Sequence, residues 1–119
     1  MDYLKIYCMT IHSSNLEIIK SLNYVPVGLY KNNFSQEWLR DNSGDNISHK
    51  NPFYGEYTFY YWYWKNLLKD KNKNEWVGFS HYREHWGNNN PNAKENVKDM
   101  VLQKFNPEWI GYDAVIGKP

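Results

Sequence analysis

Short apolar runs alternate with amphipathic segments along the first part of the chain. The first run, residues 3–10 (YLKIYCMT), predicts a buried strand, and apolar positions at helical spacing follow it in residues 15–22. Residues 24–30 read as a second extended segment, in which Pro26 indicates a sheet edge or a strand start. This succession of strand, helix and strand is typical of layered α/β proteins.

A long polar stretch and an aromatic helix are predicted next. Residues 31–51 are rich in Asn, Asp, Ser and Gly without periodicity, which predicts a loop, and loops of this length in compact domains are often functional. Asn51 and Pro52 suit the cap and the first position of a helix. Residues 52–70 are predicted to continue that helix for about five turns, apolar around most of its circumference.

The last part of the chain returns to the alternation. Residues 75–80 (EWVGFS) predict another buried strand, residues 93–105 a helix and residues 112–119 (YDAVIGKP) a final strand. We therefore predict an α/β protein with three α/β/α layers and a mostly parallel sheet. Its 119 residues fit one domain, residues 1–119.

Composition narrows the classes of partner and compartment. The net charge of +1 provides no broad positive field for nucleic acid or for an anionic membrane. The one cysteine, Cys8, excludes a disulfide or a cysteine-based zinc site within the chain. No segment has the length of a membrane span, and the N-terminus lacks the features of a signal peptide. We expect a cytoplasmic protein with at most peripheral membrane association, at the inner face of the membrane.

Strand ends are the first place to look for a site, because ligands of open parallel sheets bind beyond the carboxyl ends of the strands. Thr10 and His12 follow the first predicted strand. His81, Tyr82 and Arg83 follow the strand over residues 75–80. We expect these two groups to meet at the same edge of the sheet.

A competing interpretation of the same segment is a zinc peptidase. His81, Glu84 and His85 fit the pattern H-x-x-E-H, which binds zinc when both histidines lie on one helical face. An apolar strand precedes the pattern, however, and Gly87 with an Asn-rich break follows it, which leaves no room for a stable helix. We rank this alternative last and predict no metal ligands here.

The polar loop and the start of the predicted aromatic helix offer a third group. A helix N-terminus provides unpaired N–H groups and a positive dipole end, which suit a pyrophosphate. The carboxylate of Glu56 is costly to bury without a partner, which favours a functional role. Under the alternative interpretation, Asn51 is an ordinary helix cap and Tyr57 belongs to the core. The candidates are Asp45, Asn46, Lys50, Asn51, Tyr54 and Glu56.

Two stretches of sequence resemble a known family. The segments GDNISHKNPFYGEYTFYYWYWKN and WVGFSHYREHW are similar to a family of bacterial glycosyltransferases that is catalogued as a domain of unknown function and associated with capsular and exopolysaccharide synthesis. The shared pattern is G-D-N-I-S-x-K-N, then Y-x-E, W-K-N and G-x-x-H-Y-R. The opening KIYCMT and the closing YDAVIGKP extend the resemblance over nearly the whole chain.

The resemblance implies the donor-binding half of a fold of the glycosyltransferase A type. Such a protein binds a nucleotide-diphosphate sugar and transfers the sugar to a glycan or lipid-linked acceptor in surface polysaccharide synthesis. Mn²⁺ or Mg²⁺ is the cofactor that this fold type implies, although the usual Asp-x-Asp motif is missing at the strand end. Arg83 and His81 are expected to neutralise the diphosphate instead. We assign catalytic roles to Glu56, His81 and Arg83, and substrate binding to Thr10, His12, Asp45, Asn46, Lys50, Asn51, Tyr54 and Tyr82.

Two departures from the family pattern support a second hypothesis. Glu84 stands where the family has a second arginine, which removes a positive charge near the expected diphosphate. The chain is also shorter than its relatives, so we expect it to be truncated at the C-terminus. The alternative function is therefore a catalytically inactive module that binds a nucleotide sugar or a protein partner.

Overall fold

The computed structural model describes residues 1–88 and 97–117. Its centre is a sheet of four parallel strands in the order β3-β2-β1-β4. The strands are β1 (Tyr3–Thr10), β2 (Val25–Gly28), β3 (Leu39–Arg40) and β4 (Glu75–His81).

Helices connect β1 to β2 and β3 to β4, and they cover the sheet. The α-helices are α1 (Leu16–Ser21), α2 (Asn51–Tyr54), α3 (Tyr57–Asn66) and α4 (Val97–Met100). Short 3₁₀ turns lie at Ser13–Asn15, Ser48–Lys50, Leu68–Asp70 and Pro107–Trp109.

Two hydrophobic cores lie on opposite faces of the sheet. Successive side chains of a strand point to opposite faces, so β1 contributes to both cores. Ile6 and Cys8 belong to the core that includes Ile19 of α1. Tyr7 belongs to the second core with Phe59 of α3, and their ring centroids are 5.5 Å apart. This confirms the predicted three-layer α/β/α fold with a parallel sheet, an arrangement consistent with half of a Rossmann-like or glycosyltransferase A domain.

The predicted long loop and long helix both differ from the structure. The loop over residues 31–51 contains β3, which was missed because it has only two residues within a polar stretch. The aromatic helix is interrupted at Gly55, whose φ of 54° and ψ of −131° are not helical. Only glycine adopts this backbone conformation at low cost.

The C-terminal part of the chain is less regular than predicted. A final strand was predicted over residues 112–119. Residues 112–117 are exposed and form no strand, which contradicts the prediction for that range. Residues 118 and 119 lie outside the described residues. Of the helix predicted over residues 93–105, the structure contains α4, and residues 93–96 lie outside its description. Within the two described ranges, no helix has the length and hydrophobicity needed to cross a membrane.

Candidate functional site

The strand order creates a switch point between β1 and β4. From β1 the chain passes through α1 to β2 and on to β3, which lie on one side of β1. It then returns through α3 to β4, on the other side. The loops that follow β1 and β4 therefore diverge from a common edge, and such points are where open α/β sheets bind ligands.

His12 and Tyr82 meet at this switch point. Their ring centroids are 5.3 Å apart in an edge-to-face arrangement. The backbone N–H of Tyr82 donates a hydrogen bond to the carbonyl of Met9 at 3.1 Å, so the turn after β4 is fastened to β1. The structure thus brings together the two groups of residues expected at the strand ends.

Thr10 shapes the turn that carries His12. Its side chain is buried, and its hydroxyl donates to Oδ1 of Asn15 at 2.8 Å and accepts from the backbone N–H of His12 at 2.9 Å. The side chain of His12 is exposed. Thr10 therefore lies at the strand-end edge as expected, with its hydroxyl engaged within the chain.

A tight turn follows β4. The N–H of His81 donates to the carbonyl of Glu84 at 3.1 Å, and the N–H of Glu84 donates back to the carbonyl of His81 at 2.9 Å. Arg83 is exposed, with its guanidinium carbon 5.1 Å from the centre of the Tyr82 ring. The turn takes the place of the helix that a zinc-binding H-x-x-E-H motif requires, so the geometry does not support the peptidase alternative.

The turn also lacks the ligands that Mn²⁺ or Mg²⁺ prefers. These ions prefer several oxygen ligands, and Glu84 is the only carboxylate in the turn, next to the cationic Arg83. Among the residues that the structure describes, no three His, Cys, Asp or Glu side chains are grouped to hold a metal ion.

His85 points toward the core rather than the strand-end edge. Its ring lies 5.9 Å from that of the buried Tyr24, and its Nδ1 is buried without a hydrogen-bond partner in the described ranges. Burial lowers the pKa of His85, and the electrostatic influence of the nearby His81 lowers this pKa further. Both effects favour the uncharged form of His85.

Asp45 and Asn46 form hydrogen bonds with other residues of the chain. Tyr61 of α3 donates its hydroxyl to Asp45 at 2.8 Å, and the side chain of Asn66 donates to the Asp45 carbonyl at 2.9 Å. Asn46 donates to the carbonyl of Gly44 and accepts from the N–H of Ser48. Because the contacts of Asp45 involve the second half of α3, Asp45 lies away from the strand-end group.

Asp41 is a polar centre that was not among the predicted site residues. Its carboxylate is fully buried directly after β3. Ser48 donates to one carboxylate oxygen at 3.1 Å and Thr58 to the other at 2.7 Å. Asp41 therefore joins the end of β3 to the loop and to the first turn of α3. The sequence gives no signal for this role of Asp41, because the two-residue strand β3 cannot be recognised from the sequence.

The start of the aromatic segment differs from the long helix whose N-terminus was expected to suit a pyrophosphate. The helix that begins at Asn51 has only four residues, and α3 begins beside the carboxylate of Glu56. The side-chain amide of Asn51 donates to the carbonyl of Gly55 at 3.0 Å and to the hydroxyl of Thr58 at 3.2 Å. Asn51 therefore braces the break between α2 and α3.

Three other candidates at this break are exposed, namely Lys50, Tyr54 and Glu56. Burial raises the pKa of Tyr60, and the negative charge of Glu56 raises it further, so Glu56 lies near Tyr60. The Tyr60 ring packs 4.9 Å from that of Phe79, two residues before the end of β4. Glu56 thus lies on the same side of the molecule as the strand-end group.

Comparison with known proteins gives one match. No curated protein and no solved structure matches this sequence. A family described as "Domain of unknown function (DUF4422)" matches residues 5–119, which include both strand ends, the polar loop and α3. Because the match covers nearly the whole sequence, the chain belongs to this family of unknown function.

Proposed function

We propose that this chain is the donor-binding part of a glycosyltransferase that acts in the cytoplasm, at the inner face of the membrane. Its donor is a nucleotide-diphosphate sugar, and its acceptor is a glycan or a lipid-linked glycan of surface polysaccharide synthesis. The resemblance of its motifs to glycosyltransferases supports this proposal, and its family membership leaves the activity open.

The observation that carries the proposal is the meeting of His12 and Tyr82 at the switch point. The exposed Arg83 lies beside the Tyr82 ring, which in turn contacts His12, at the carboxyl edge of a parallel sheet. A guanidinium binds a diphosphate through paired hydrogen bonds, and aromatic rings provide faces against which a base or a sugar packs.

The chemistry assigned to the site is group transfer. A hydroxyl oxygen of the acceptor forms a bond to the anomeric carbon as the bond from that carbon to the diphosphate breaks. The electron pair of the broken bond moves to the diphosphate oxygen, where Arg83 and His81 stabilise the added negative charge. The proton of the acceptor hydroxyl passes to a base, a role that we assign to Glu56, an exposed carboxylate on this side of the molecule.

A second candidate function is an inactive binding module. The observation in its favour is Glu84, whose backbone closes the turn with His81 and whose carboxylate adds a negative charge next to Arg83. Like charges repel, so Glu84 weakens the stabilisation of a leaving diphosphate. Donor binding without sugar transfer or hydrolysis would favour this candidate.

Calorimetric titration with uridine, guanosine and cytidine diphosphate sugars tests donor binding. We expect one class to bind, and Arg83→Ala to weaken its affinity by about tenfold or more, because a charge-assisted pair of hydrogen bonds is lost. Lys69→Ala is the matched control, since Lys69 is an exposed cation beyond the far end of α3.

Three results would count against the proposal. Failure of every donor to bind a folded sample would exclude donor binding. Equal losses for Arg83→Ala and Lys69→Ala would indicate a general charge effect rather than a site at the strand ends. A requirement for Mn²⁺ or Mg²⁺, tested by titration with and without a chelator, would contradict the assignment of charge neutralisation to Arg83 and His81.

A further inference from the structure

The outer edge of β4 has its own pattern of backbone contacts. The N–H and C=O groups of alternate residues in a strand point to opposite sides. Tyr82, just after β4, donates its N–H to Met9 of β1, so the even-numbered residues face β1. Glu75, Val77, Phe79 and His81 therefore direct their N–H and C=O groups to the outer edge.

Side chains and a turn occupy most of that edge. The ammonium of Lys71 donates to the carbonyl of Glu75 at 2.5 Å, and the indole N–H of Trp86 donates to the carbonyl of Phe79 at 2.8 Å. His81 is paired with Glu84 in the turn. Only Val77 keeps both its N–H and its C=O without a partner among the described residues.

A segment of the same chain already runs beside this edge. The ring of Trp109, which precedes the segment, lies 5.6 Å from that of Trp76 near the start of β4. At the other end, a Cβ on Gly117 would lie 3.4 Å from the ring of Trp86. The indole N–H of Trp86 forms a hydrogen bond to the carbonyl of Phe79 near the end of β4. Residues 112–117 therefore follow β4 in the parallel direction.

A cavity separates this segment from the strand. Its volume is about 860 Å³, and Val77 and Phe79 line one wall while Ala114 and Val115 line another. The last backbone hydrogen bond at the start of the segment is from the N–H of Tyr112 to the carbonyl of Trp109. Residues 113–117 have none within the described ranges. Ile116 is 88% exposed, a high value for an apolar side chain.

We propose that residues 112–116 form a strap that closes onto β4 as a fifth, parallel strand. The sequence of the strap, YDAVI, favours a strand. Closure pairs the vacant N–H and C=O of Val77, turns β4 from an edge strand into an interior one and fills the cavity. Lys71 and Trp86 hold the strap open, because they occupy the Glu75 and Phe79 carbonyls that a fifth strand needs.

The test releases the two carbonyls and measures hydrogen exchange. In the double variant Lys71→Met/Trp86→Phe, both carbonyls lose their donors while the apolar bulk of the side chains is kept. We expect alternate backbone amides within residues 113–116, those that face β4, to exchange about tenfold more slowly, or slower still, than in the wild-type chain. The matched control is Lys73→Met, which removes a lysine that lines the same cavity without bonding β4.

Proline substitutions in the strap distinguish pairing from simple packing. Successive N–H groups of a strand alternate in direction, so only one of Ala114 and Val115 donates to β4. We expect one of Ala114→Pro and Val115→Pro, added to the double variant, to abolish the slow exchange and the other to retain it. If the double variant does not fold by circular dichroism, Trp86→Phe alone gives the same comparison. Unchanged exchange after release of the carbonyls, or equal effects of the two prolines, would overturn the proposal.

Discussion

At the scale of single residues, the polar motif of the central loop serves structure as much as chemistry. Asp45 and Asn46 are bound to their own chain, and Asn51 braces the break before α3. Sequence alone cannot separate such residues from ligand-binding ones, because the same donors and acceptors serve both. The strand-end group was predictable, since it depends only on where two buried strands end.

Asp41 is the residue whose loss we expect to cost most stability in this loop. Asp41→Ala leaves the hydroxyls of Ser48 and Thr58 without their buried acceptor, which costs about 2–3 kcal/mol of the free energy of unfolding. Urea denaturation measures the change. Asp45→Ala is the control, because Asp45 is exposed and water replaces its contact with Tyr61. Equal losses for the two variants would contradict the central role of Asp41.

At the scale of elements, periodicity predicted the long segments and missed the short ones. The runs that became β1, β2, β4 and α3 are strongly apolar, so their types were predictable. The two residues of β3 have no periodicity to detect. The strand predicted over residues 112–119 has suitable residues, but its pairing depends on an edge that Lys71 and Trp86 occupy.

Gly55 sets the boundary between α2 and α3, and a side chain there should strain the backbone. In Gly55→Ala, no atom of the described residues other than the adjacent ones lies within 4 Å of the new Cβ. The expected loss of about 1–3 kcal/mol in the free energy of unfolding therefore reflects the positive φ alone. Gly87→Ala is a suitable comparison, because among the described residues a Cβ at Gly87 meets only the carbonyl of Met100 at 4.0 Å, and the φ of Gly87 is not positive. Chemical denaturation of both variants measures the difference. A Gly55→Ala variant as stable as Gly87→Ala would show that this boundary tolerates a side chain.

At the scale of the whole molecule, β1 unites the two cores, and the single thiol lies in that strand. Cys8 is fully buried, and burial raises the pKa of its thiol. The reactive thiolate is therefore scarce and inaccessible in the folded chain.

We predict that Cys8 reacts with a thiol reagent only when the molecule unfolds globally. Its rate in the native chain should be lower than in the urea-unfolded chain by about a thousandfold or more, as expected for a domain of ordinary stability. The rate should increase with urea in parallel with the loss of the circular dichroism signal. Rapid labelling without urea would show that β1 opens independently of the rest of the sheet.

The pairing of β1 with β4 also governs how the chain emerges from a ribosome. Tyr3 pairs with Glu75, and Met9 pairs with His81. One edge of β1 therefore stays unpaired until residues 75–81 have been synthesised. Contacts between distant parts of a sequence slow folding, because a long loop must close before they form. During synthesis, Tyr7 and Met9 stay uncovered until Phe59 and Tyr63 have been added. A nascent chain of this kind is a natural client for a chaperone that binds exposed apolar strands.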